Sequence, residues 1–350
     1  MDDSGINSKT LVARALRGEA VPRAPVGPLA VHYCARWAGA TLREYSTSAH
    51  TLAESVIRYW ERFQPDAVWL SADTWVSAQA MGAKVGATDE QQPLGGQSLP
   101  LVRTAGDIDR IPPPDVSSQG RYPLMLEAMS RIVAALGRDV WIVGCMDQYP
   151  FSLATALMGI NEIMLKVVDD PPFVEALMGR CLEYQLAYGR ALAEAGADML
   201  SGGDSPAVLL GPEPYARLVL PFEAKAIAAL KAATGKPVSL HSCGNATPML
   251  AAMARSGADV LELDHFVDLG QACRIAGPNI ALWGNLDPVG VLAQGTPARV
   301  EQAARQAMES VKTAGHRRFV LSSGCTLAVE TPAENLEALS RAARSFSPGS

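Results

Sequence analysis

The stretch Pro237-Val238-Ser239-Leu240-His241-Ser242-Cys243, with the helical pattern Thr247–Ser256, the joint Gly257-Ala258-Asp259 and the apolar run Val260–Leu263, decides the fold. A short apolar run, a helix-period segment, a glycine joint and a second apolar run make one strand-helix-strand unit. Strands joined through a helix pair in parallel, because a tight turn cannot return the chain to the same end of the sheet. The unit recurs along the chain. Candidate strands are Val26–His32, Ala67–Ser71, Val140–Gly144, Met199–Gly202, Val238–His241, Val260–Leu263, Ile280–Gly284 and Phe319–Ser322. The joint recurs too, as Gly196-Ala197-Asp198. A strand count near eight in a chain of 350 residues favours a (β/α)8 TIM barrel over an open doubly wound sheet. No G-x-G-x-x-G follows the early strands, which argues against a dinucleotide-binding sheet.

The expectation is a single barrel domain over residues 1–350. Residues 1–22 form a short N-terminal extension whose helix, Ser8–Leu16, caps one end. The Pro- and Gly-rich segment Gln91–Ser118 is an excursion loop, and Ser345–Ser350 has the composition of a loose tail. Helical patterns also run through Tyr215–Ala233 and Pro297–Ala314.

Composition narrows the functional classes. Apolar residues make up 48% of the chain, enough to bury a large core, and the net charge of −6 disfavours nucleic acid as a partner. Six cysteines in this length are too sparse for a disulfide scaffold. The start Met1-Asp2-Asp3-Ser4 does not resemble a signal peptide, and no uncharged apolar stretch reaches the ~18 residues of a membrane span. The expectation is a cytoplasmic protein with reduced thiols and no membrane partner. The sequence is compatible with a homodimer.

Barrel chemistry collects at the C-terminal ends of strands. His241 and Cys243 lie two apart at one such end and therefore face one side. Cys325 follows another, Arg318–Ser322. One nitrogen and two sulfurs suit Zn²⁺ with a position left open, which is a catalytic arrangement. The bland alternative is a satisfied histidine and two small buried thiols. His265, after the neighbouring strand, is a candidate fourth ligand or a histidine of the surrounding loop. Asp73, Asn285 and Asp287 are candidate catalytic residues. Asp73 could equally cap a loop, and Asn285-Leu286-Asp287-Pro288 reads first as a turn. His32, Trp75, Asp147 and Asp204 are candidates for the substrate pocket. Cys34, Cys145, Cys181 and Cys273 read as packing residues, and Trp69 and Trp141 as barrel wall.

The chain resembles the uroporphyrinogen decarboxylase superfamily over nearly its whole length. The resemblance rests on Ser8-Lys9 through Pro25-Val26, Asp73 through Gly82, Gly257-Ala258-Asp259-Val260, Gly284-Asn285-Leu286-Asp287-Pro288, and Gly324-Cys325 through Asn335. That superfamily folds as a (β/α)8 barrel. Two departures set this chain apart from the decarboxylases. Their early Arg-Gln-Ala-Gly-Arg motif is replaced by His32-Tyr33-Cys34-Ala35-Arg36, and their C-terminal histidine by Cys325. The His-x-Cys and distant Gly-Cys resemble instead the corrinoid-dependent branch typified by methylcobalamin:coenzyme M methyltransferases. The resemblance implies that His241, Cys243 and Cys325 bind zinc, with an acidic residue near His265 able to complete the shell.

It further implies transfer of a methyl group from a methylated corrinoid, free methylcobalamin or a corrinoid protein, to a small-molecule thiol activated as a zinc thiolate. No D-x-H-x-x-G cobalamin signature occurs, so the corrinoid would come from outside the chain. Arg36 and Arg43 are candidates to hold an anionic acceptor. The rival readings are a zinc thiol alkyltransferase with another electrophile, a decarboxylase using Asp73, and a non-catalytic zinc module.

Overall fold

A computed structural model describes residues 5–91, 94–95 and 100–346. Seven parallel strands pair in chain order: β1 Ala67–Leu70, β2 Trp141–Gln148, β3 Met199–Gly203, β4 Ser239–Ser242, β5 Val260–Leu263, β6 Ala281–Leu286 and β7 Phe319–Ser323. Helices cross over between successive strands, among them Tyr122–Leu136, Pro171–Glu194 and Pro297–Thr313.

The expected first strand, Val26–His32, does not form. Val26 makes a single parallel bridge to Leu321. Leu321 N donates to Pro25 O and Gly27 N to Leu321 O, while Asp66 N and Ala67 N donate to Val26 O. Residues 25–27 therefore hydrogen-bond to both outer strands. The ladder stops because Pro25 and Pro28 lack the N–H that a strand must donate. The next turn begins a helix, Tyr33–Ala38, with His32 at its start. Gly27 is required where it stands: a Cβ there would lie 2.5 Å from the Trp283 ring, whose Nε1 donates to Gly27 O.

Alternate strand residues point inward. At the N-terminal ends these are apolar: Trp69, Trp141, Val143, Met199, Val260, Trp283 and Val320 form one buried cluster. Val12 and Leu16 of the helix Ser8–Arg17 join it. Asn7 caps that helix, and Lys9 ties it down through Asp198 at 2.8 Å and Gly137 O. The helices pack the outer faces of the strands through a second, larger cluster.

Two further expectations need adjustment. The pattern Tyr215–Ala233 is a wide turn, Tyr215–Val219, followed by the helix Leu220–Thr234. Pro221 cannot donate into an unbroken helix there. Within Gln91–Ser118, residues 92–93 and 96–99 lie outside the described residues, as does the tail 347–350; the rest holds a helix, Ala105–Arg110. Among the described residues no single helix is long and apolar enough to cross a membrane.

Candidate metal centre

β4 delivers His241 and Cys243 to one side, and the turn after β7 brings Cys325 to meet them. The His241 Nε2 lies 3.1 Å from the Cys243 sulfur, and the two sulfurs are 3.3 Å apart. All three ligand atoms fall within 4.8 Å of one another. Donors on a tetrahedral zinc stand roughly 3.3–3.8 Å apart, given bonds of about 2.0–2.3 Å. One nitrogen and two sulfurs, unbridged by a disulfide and half-buried, thus fit a zinc ion in both spacing and chemistry.

Local backbone holds this geometry. Cys243 N donates to Ser205 Oγ, and Gly244 N donates to Asp264 Oδ2 at 2.7 Å. Gly324 lets the β7 turn press against the loop after β5: a Cβ there would lie 2.6 Å from His265 N. Hydrogen bonding to Cys243 and burial push Cys325 up to about 12, while the same hydrogen bond holds Cys243 below an ordinary thiol.

Glu262, on β5, was not among the residues singled out from the sequence. It is 2% exposed and stands beside His241 in the strand register. Its Oε1 accepts from Ser201 Oγ at 2.7 Å and from Ser239 Oγ. Its Oε2 lies 3.7 Å from His241 Nδ1. Burial raises its pKa. The signal was available in the sequence: an acidic residue at an inward position of an otherwise apolar strand.

His265 lies outside the three-ligand group. Its Nδ1 is 2.7 Å from Asp264 Oδ1 and its Nε2 is 3.9 Å from Asp287 Oδ2. Asn285 Nδ2 donates to the carbonyls of Asp264 and Val267, so it braces the loop that carries His265. Asp287 Oδ1 accepts from Val289 N and Gly290 N as a helix cap.

The other strand-end residues turn inward to local partners. Asp73 is bound by both terminal nitrogens of Arg121, and the pair is buried. Asp147 accepts from Ser77 N and Oγ, and burial together with the charge of Asp73 pushes it up to about 7. Asp204 accepts from Ser152 N and Oγ, and burial pushes it up to about 6. His32 Nε2 meets Ala72 O at 2.7 Å, and burial lowers its pKa. Trp75 packs partly buried against the outer core. Arg36 Nη1 donates to Val329 O and Thr331 O, and Arg43 Nε donates to Asp89. Cys34, Cys181 and Cys273 are buried in helices, as packing residues should be. Cys145 is half-buried and remains protonated, pushed up to about 12 by burial.

Comparison with known proteins places this geometry in context. Residues 7–346 match the family model for uroporphyrinogen decarboxylase. The chain is 30% identical to the methylcobamide:CoM methyltransferase MtbA of Methanosarcina mazei, covering 97% of this chain and 98% of that protein. It is 26% identical to the uroporphyrinogen decarboxylase of Trichodesmium erythraeum, covering 95% of each. A solved methyltransferase from Methanosarcina mazei matches with a TM-score of 0.87 at 27% identity, over 96% of this chain and 98% of that one. The parallel α/β architecture is therefore shared with that methyltransferase and is consistent with a TIM-barrel type.

Proposed function

The chain belongs to the uroporphyrinogen decarboxylase family, and from that premise we propose that it moves a methyl group from a methylated corrinoid to a thiol, with Zn²⁺ held by His241, Cys243 and Cys325. The observation that carries this reading is the meeting of those three ligand atoms within 4.8 Å. The relatives named as methyltransferases support a transferase; the soft ligand set is what favours a thiol as acceptor.

Zinc in such a site supplies Lewis acidity that lowers the pKa of a thiol, which would otherwise sit near ~8.5 and be mostly protonated at neutral pH. The protein's own residues do the rest. Ser205 and Asp264 hold the backbone on both sides of the Cys243 thiol, and Gly324 keeps Cys325 close. Asn285 fixes the loop bearing His265, which stands at the rim with one nitrogen toward Asp264 and the other toward Asp287. In the transfer the acceptor sulfur bonds to the methyl carbon as the Co–C bond breaks, its electron pair staying on cobalt; products are a thioether and Co(I). The corrinoid arrives free or on a separate protein. Residues 25–27 occupy the eighth position between β7 and β1, which supports reading the whole chain as one (β/α)8 barrel.

The buried Asp73–Arg121 pair weighs against a decarboxylase, because an aspartate neutralised by arginine and 3% exposed is withdrawn from a tetrapyrrole. The test is to incubate zinc-loaded protein with methylcobalamin and a panel of thiols, following cob(I)alamin by absorbance. Thiol-dependent cob(I)alamin formation is expected. No turnover with any thiol or corrinoid donor, together with CO₂ release from a porphyrinogen, would overturn the proposal.

A further inference from the structure

Glu262 is a carboxylate inside the barrel with half of its hydrogen-bonding capacity unused. Ser201 on β3 and Ser239 on β4 both donate to Oε1 and fix the carboxyl plane. Among the described residues Oε2 has no hydrogen-bond partner, and neither has His241 Nδ1, although both atoms are buried. These two unsatisfied atoms face each other across 3.7 Å, slightly beyond hydrogen-bond length and too close for a water between them. An ionised carboxylate with an empty acceptor site in an apolar interior is costly unless it receives a proton donor. The neutral imidazole offers that donor only as its Nδ1–H tautomer. In that tautomer Nε2 carries the lone pair, and Nε2 is the nitrogen that points at Cys243.

We infer that Glu262 is a positioning residue that locks His241 in the Nδ1–H tautomer, keeping Nε2 permanently available to a metal. The serines make the device directional. Because both hydroxyls occupy Oε1, the carboxylate cannot rotate away without losing them, and Oε2 stays aimed at the ring. Metal ligation by histidine is commonly supported in this way, and loss of the supporting group typically lowers metal affinity about 10–100-fold.

The inference rests on the proposed metal site, but its test separates the two. Glu262→Gln preserves shape while presenting an amide N–H₂ to Nδ1 if the serines keep the amide oxygen. That would favour the Nε2–H tautomer, which cannot bind metal. Two measurements are needed on the full chain. The first is ¹⁵N NMR of histidine-labelled, metal-free protein, with the His241 signals assigned by a His241→Gln variant. Wild type should show Nδ1–H, and Glu262→Gln should lose it. The second is Zn²⁺ affinity by chelator competition, where Glu262→Gln should bind about 10–100-fold more weakly. Ser201→Ala with Ser239→Ala should reproduce part of both effects by freeing the carboxyl to rotate. An unchanged tautomer with affinity within twofold of wild type would overturn the role of Glu262. Failure of wild type to bind Zn²⁺ would overturn the metal site instead, and the metal-free tautomer would still decide on Glu262.

Discussion

Two groups of side chains near the C-terminal ends of the sheet strands are held in different ways. On one side, β4, β5 and the turn after β7 bring His241, Glu262, Cys243 and Cys325 together with polar atoms left unpaired. On the other, β1, β2 and β3 end in Asp73, Asp147 and Asp204. Each of these carboxylates is engaged by a neighbour, Arg121, Ser77 or Ser152, although Asp147 Oδ1 and Asp204 Oδ2 are also buried without a hydrogen-bond partner among the described residues. Acidic residues at strand ends therefore serve two purposes in one molecule. On the second side they fasten neighbouring loops and helices; on the first, an imidazole and two thiols converge on one point beside a buried glutamate.

The sharpest way to break this comparison is to remove the sulfurs. Cys243→Ala with Cys325→Ala should abolish stoichiometric zinc binding, measured by metal analysis of purified protein, and with it methyl transfer. Metal retained in full would remove the distinction between the two sides. The converse change is Arg121→Met. It leaves Asp73 buried without its partner and should destabilise the fold by about 3–5 kcal/mol, read from urea midpoints. Zinc affinity of the folded variant should stay near that of wild type.

Asp147 offers a pH test of the fastened side. Its folded pKa, about 7, lies above the unfolded value near ~4, so the folded state binds the proton more tightly. The stability it contributes is complete below about pH 4 and is lost as pH rises through 7. Asp147→Asn cannot ionise. Relative to wild type it should gain stability between pH 5 and pH 8, by on the order of a kcal/mol or more. Urea midpoints at both pH values check this, and equal differences would refute the assignment. The smallest effect belongs to Asp287→Ala. Losing a cap on Val289 N and Gly290 N should cost about 1 kcal/mol. A large fall in kcat with little change in stability would return Asp287 to the chemistry.

Much of the architecture was legible because period and punctuation are local properties. Seven of the expected strands form within a few residues of their predicted bounds. The eighth failed at Pro25 and Pro28, where an apolar run satisfies the pattern but cannot donate hydrogen bonds. The convergence of His241 and Cys243 was legible because a two-residue spacing on a strand fixes sidedness. Asp73, Asp147 and Asp204 were correctly placed near strand ends, but their partners lie 48, 70 and 52 residues away in sequence, beyond the reach of any local pattern. Glu262 escaped notice for a related reason. Nothing about an acidic residue in an apolar run states which neighbour it will face.

From its sequence alone, this chain determines a parallel strand-helix alternation and a nitrogen-sulfur-sulfur set able to hold a soft metal. Side-chain period and ligand chemistry are carried by the residues themselves. The tertiary structure decided which neighbour each buried carboxylate meets. Burial and pairing depend on strands and helices brought together from distant parts of the chain, and those contacts alone determine whether a polar atom is satisfied. At His241 that decision matters most: the sequence supplies the imidazole, and the packing of β3, β4 and β5 sets Glu262 against its Nδ1.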